Sequence, residues 1–147
     1  MSVNKKYSTP LGIIEGFFGR EWQWNEREGY ARFLAEQGYN FYIYAPKSDK
    51  HLRSQWQQDW PLSTKEKLDQ LRHVYADAGI DFGIGLSPHE IYLNESRHQR
   101  QALRQRIQQL NTLNPDILCI LFDDMRGDIP GLADIQIDIA HEAAALS

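Results

Sequence analysis

The sequence predicts an α/β fold with parallel strands, because strand-like and helix-like stretches alternate strictly along it and form four βα units. Two further observations point the same way. Glycines close the first two helical stretches, and the last strand-like stretch, Ile117 to Phe122, is apolar at every position, the pattern of a parallel strand buried on both faces.

Leu11 to Phe18 reads as the first strand. Asn25, with Glu28 three residues on, makes a capping-box pattern ahead of Tyr30, Phe33 and Leu34 at helical spacing, and Gly38 closes that helix. Asn40 to Ala45 is the second strand, ending at Pro46; after a loop, Ser63 and Glu66 cap a helix carrying Leu68, Leu71 and Tyr75, which Gly79 ends. The third strand, Asp81 to Leu86, leads through Ser87 and Pro88 to a helix in which Leu103, Ile107 and Leu110 form one apolar stripe against an Arg/Gln face. Asp116 to Phe122 is the fourth strand, and Gly131 precedes a helix with Leu132, Ile135 and Ile139 that runs to the C-terminus. Four such units fall short of a closed eightfold barrel, which takes about 250 residues. The expectation is therefore half a barrel, either the first part of a longer protein or a piece that pairs to cover its open strand edges.

At 41% hydrophobic and 12% aromatic, the 147 residues suffice to bury one core, with residues 1–10 a polar tail and residues 11–147 the domain. A net charge of −4 and an isoelectric point near 5.7 provide no footprint for nucleic acid or an anionic membrane, even with the Arg-rich stretch Arg97 to Arg106. Lys5 and Lys6 precede no apolar leader, and no run approaches the roughly 18 apolar residues of a membrane span, so a cytoplasmic protein is expected. The single cysteine, Cys119, sits within the fourth strand and reads as a small buried hydrophobe.

The fourth strand ends in two adjacent carboxylates, Asp123 and Asp124. Carboxyls held that close cannot both ionise freely, so one pKa should rise and the other fall, dividing a proton donor from an anionic stabiliser. A helix N-cap, a divalent-metal site using Asp123, Asp124 and Asp128, or a solvated turn would also place acids here. In parallel α/β folds the C-terminal strand ends share one face, where active sites collect. The segments to inspect are thus Gly16 to Trp22, Pro46 to Asp49, Ser87 to Glu90 and Asp123 to Arg126.

Those strand ends read Glu15-Gly16-Phe17-Phe18-Gly19-Arg20, Tyr44-Ala45-Pro46-Lys47-Ser48-Asp49, Leu86-Ser87-Pro88 and Leu121-Phe122-Asp123-Asp124. In order and spacing, from Leu11 to about Ala140, the chain resembles the catalytic domain of the family 84 glycoside hydrolases, β-N-acetylglucosaminidases that include O-GlcNAcase and some bacterial enzymes once called hyaluronidases. The resemblance implies the first four βα units of a TIM (β/α)8 barrel, hence a partial barrel here. It also implies removal of terminal N-acetylglucosamine with retention, the substrate's own acetamido group serving as nucleophile, an exception to the two-carboxylate scheme. By position, Asp123 matches the acid that orients the acetamido nitrogen, Asp124 the general acid/base, and Gly16 and Lys47 positions that contact sugar hydroxyls. No metal or cofactor is implied. The partner is a glycan or glycoprotein bearing N-acetylglucosamine, and association with a second copy or with the rest of the barrel is expected of exposed strand edges.

The chain departs from the family pattern in three places: Lys47-Ser48-Asp49 stands for Lys-Asp-Asp, Ser87-Pro88-His89 for Ser-Pro-Gly, and Phe18 for a tyrosine. His89 falls at the pocket rim. Trp22, Trp24, Trp56 and Trp60 are the aromatics with faces broad enough to stack on sugars, though such rings more often pack.

Overall fold

A computed structural model describes residues 9–93, 97–123 and 125–147. The expected tail lies mostly outside them, and so does Asp124. The order is β1 (Gly12–Glu15), α1 (Trp24–Glu36), β2 (Phe41–Tyr44), α2 (Leu62–Asp77), β3 (Asp81–Leu86), α3 (Arg97–Asn111), β4 (Ile117–Ile120) and α4 (Leu132–Leu146), with short 3-10 turns at Lys50–Leu52 and Ile91–Leu93. The four strands form one parallel sheet in the order β1-β2-β3-β4. This is the partial α/β barrel foreseen from the alternation, with β1 and β4 as its two edges. Among the described residues, no helix is long and apolar enough to cross a membrane.

The helix boundaries follow local chemistry. Gly38 and Gly79 adopt φ of +77° and +74° just past α1 and α2, where glycine meets no Cβ penalty. α1 begins earlier than the Asn25/Glu28 pattern suggested: Glu26 accepts from the Gln23 backbone N–H at 2.7 Å, so the reciprocal cap sits two residues upstream. α2 likewise starts at Leu62 instead of being capped by Ser63, because Pro61, its φ held at −53°, offers its carbonyl to the N–H groups of Thr64 and Lys65 at 3.0 and 3.1 Å. In α3, Leu103, Ile107 and Leu110 are fully buried as the stripe requires, but Arg106 is buried beside them, bonded to Asp59 and lying 4.3 Å over the Trp60 ring. In α4 only Ile139 and Ala143 are buried.

The strands are shorter than their apolar runs. At their lower ends polar residues take over the pairing: the Asn40 side chain accepts from Leu11 N–H at 2.9 Å, and Asp116 accepts from Phe82 N–H at 2.9 Å. Alternation sends Glu15, Tyr42, Tyr44, Phe82, Ile84 and Leu86 toward the helices, where the main core forms. The opposite, inward face is narrow and closely packed. A Cβ placed on Gly85 would stand 2.7 Å from the Ala45 Cβ and 2.9 Å from Leu121, and one on Gly83 would stand 2.9 Å from Ile43. β4 is half-buried throughout and not enclosed on both faces, because it is an edge strand with a neighbour on one side only. Cys119 is half-buried with it, its thiol pKa raised by burial and by the nearby Asp123 charge.

Candidate active site

Period-two alternation carries the inward face past the strand ends: Ala45 leads to Lys47, Gly85 to Ser87 and Leu121 to Asp123. The three polar side chains meet there. Lys47 Nζ donates to Oδ2 of Asp123, Ser87 Oγ donates to the same oxygen at 3.2 Å, and Arg53 Nη1 reaches it at 3.3 Å. Lys47 and Asp123, brought together from positions 76 apart in sequence, thus form an ion pair. The chain turns at Asp123.

Burial works to raise the Asp123 pKa, but the Lys47 hydrogen bond and charge, the Ser87 hydroxyl and the Arg53 charge outweigh it and hold the carboxyl below its ordinary value. Asp123 is thereby held as an anion at neutral pH. Asp128, the third oxygen donor of the metal reading, is forked by Arg126 at 3.0 and 2.6 Å. Among the described residues no three His, Cys, Asp or Glu side chains converge to hold a metal.

Gly16 lies at the end of β1, its N–H donating two residues back to Ile14 at 2.8 Å. A Cβ there would meet only Ile14, at 3.6 Å, so packing does not demand glycine; what the absent side chain leaves is open approach to the backbone. Glu15 and Lys47 line a common recess of about 190 Å³ with Phe17 and Phe18, smaller than the roughly 300–1,000 Å³ of complete ligand pockets. Phe18, 80% exposed, stands 5.8 Å from Lys47 Nζ. His89 is half-exposed at the rim, beside Glu90, and its carbonyl accepts from Trp56 Nε1 at 3.1 Å.

The tryptophans pack. Trp22 stacks on Tyr30 at 4.3 Å and Trp24 on Tyr44 at 6.0 Å, while Trp56 and Trp60 are buried. Arg53 was missed by sequence reasoning. Its signal was its place in the loop that begins at Lys47 at a strand end, which is weak without knowledge of what β4 brings opposite.

Residues 11–145 match the family model described as beta-N-acetylglucosaminidase. The chain is 28% identical to Protein O-GlcNAcase of Rattus norvegicus over 114 residues, and equally to that of Mus musculus; this is 78% of the chain but only 12% of either relative. A mutant of the O-GlcNAc hydrolase of Thermobaculum terrenum superposes with a TM-score of 0.82 at 25% identity, covering 95% of this chain and 32% of that one. The structure of CpGH84B does so with a TM-score of 0.80 at 27% identity, covering 90% and 23%.

Proposed function

The chain belongs to the beta-N-acetylglucosaminidase family, and from that premise we propose that it carries the acid pair and part of the sugar pocket of a glycoside hydrolase. The enzyme removes terminal β-linked N-acetylglucosamine from a glycan or glycoprotein. The observation that carries this reading is the anionic Asp123, held through one oxygen by Lys47, Arg53 and Ser87 at the C-terminal end of a parallel sheet.

In the proposed reaction the acetamido oxygen of the substrate attacks C1 and the glycosidic bond breaks. Positive charge then builds toward the acetamido nitrogen, where the Asp123 anion stabilises it. Asp124 gives its proton to the departing oxygen and later takes one from the water that opens the oxazoline at C1. Lys47 and the open backbone at Gly16 serve the sugar hydroxyls. The strands that complete the barrel come from further chain or from a second copy, since among the described residues nothing pairs with the outer sides of β1 and β4.

The test is release of 4-nitrophenol from its N-acetyl-β-glucosaminide, with chelator present, by the protein and by its Asp124→Ala and Asp123→Asn variants. Turnover that survives chelator and falls in both variants supports the reading. Binding of N-acetylglucosamine without turnover moves the chain to a carbohydrate-binding role, and loss of turnover in chelator points to a metal enzyme instead.

A further inference from the structure

We infer that Arg53 is a positioning residue which, with Lys47 and Ser87, occupies Oδ2 of Asp123 and so reserves Oδ1 for the acetamido N–H of the sugar. The inference rests on the proposed glycosidase reading and assigns the two oxygens of its anionic carboxylate different tasks.

A carboxylate has roughly two acceptor sites on each oxygen. Among the described residues, every donor to Asp123 falls on Oδ2: Lys47 Nζ, Ser87 Oγ at 3.2 Å and Arg53 Nη1 at 3.3 Å. That oxygen is saturated, and the substrate's N–H is left the other one. Lys47 also has a second task in the proposed reaction, donating to sugar hydroxyls, and its flexible stem lets it divide its donors between the two. Arg53 then keeps a cation on Asp123 while Lys47 serves the sugar, and its rigid planar donor group suits that holding role.

The segment presenting Arg53 is itself pinned. Asp49 Oδ1 accepts from His51 N–H at 2.9 Å, while its Oδ2 accepts from Tyr44 Oη at 3.1 Å and Trp60 Nε1 at 2.8 Å. Leu52 is buried, and its carbonyl accepts from Ser87 N–H at 2.8 Å, tying the Arg53 turn to the end of β3. Arg53 and Ser87 therefore approach Asp123 as one unit. Among the described residues, the other charged groups bordering the Asp123 cleft are His89 and Glu90 after β3.

Two measurements on the protein test this. The first follows the Asp123 side-chain carboxyl in protein labelled with ¹³C at aspartate, assigned with Asp123→Asn, and needs no turnover. Its titration midpoint should rise in Arg53→Met and rise less in Arg53→Lys, with melting temperature tracked to confirm folding. The second is turnover of the 4-nitrophenyl substrate. Here kcat should fall about a hundredfold in Arg53→Met with KM little changed, as for a misplaced reacting group. Arg53→Lys should recover part of the loss, and Arg53→Met should cost nothing further in an Asp123→Asn background. An unmoved midpoint, or losses that multiply in the double variant, overturns the inference. Wild-type protein that binds substrate without turning it over sinks the glycosidase reading instead, and the carboxyl titration still decides whether Arg53 holds Asp123.

Discussion

Arg27 forks both oxygens of Glu15 from beneath the end of β1, Nε at 2.9 Å and Nη2 at 2.8 Å, with each side chain no more than 2% exposed. Tyr42 donates to the same carboxylate, and the Arg27 guanidinium lies 4.8 Å over Trp24 and 5.1 Å over Tyr44. Removing one partner strands a buried charge. Glu15→Ala or Arg27→Met should each cost about 3–5 kcal/mol, and the double variant less than their sum. Urea unfolding of the three variants checks this; additive losses would show that the two residues do not act as a pair.

Lys47→Met should remove a cationic hydrogen-bond donor from Asp123 and raise its pKa from the depressed position it holds beside Lys47. In the proposed reaction the anion is the working form, so activity should be lost as pH falls through that pKa. The acid limb of the kcat/KM profile should therefore begin its descent at higher pH in Lys47→Met than in the parent. An unshifted limb would mean Lys47 does not set the charge of Asp123.

Gly85→Ala tests the tight inward face. The new methyl would meet the Ala45 Cβ at 2.7 Å, an atom fixed to its own backbone, and Leu121, which leads to Asp123. Overpacking of this kind costs about 1–3 kcal/mol. A lowered melting temperature together with reduced turnover is expected, whereas a melting temperature equal to the parent's would show that β2 and β3 separate easily.

Glu26 reports on the start of α1. The Arg20 fork at 3.0 and 2.7 Å and the Gln23 N–H lower its pKa from 4.5 to about 2. A depressed carboxyl stabilises the fold above its unfolded pKa and loses that effect as pH falls through the folded one. The difference in melting temperature between the protein and Glu26→Gln should thus be full at neutral pH and shrink between pH 4.5 and about 2. A difference constant across that window would remove the cap from the account.

Much of this architecture was legible from local pattern. The β3 boundaries Asp81 and Leu86 agree with the reading, and Gly38 and Gly79 end their helices for the backbone reason that marks them in sequence. The half-burial of β4 was not legible, because an apolar run records what a strand tolerates while its exposure depends on which strands lie beside it. At the site, Lys47 and Asp123 were marked by motif and strand-end position, and the structure joins them. Arg53 and the Glu15–Arg27 pair were not marked, since each depends on a partner 70 or 12 positions away that no periodicity announces.

Cys119, the sole thiol in the chain, sits half-buried on the inward face, four residues before Asp123. Its position makes it a built-in gauge of closure. In the proposed complete barrel that face is covered, so the rate at which a thiol reagent modifies Cys119 should measure how far the sheet stands open, and assembly could be followed without introducing a foreign label.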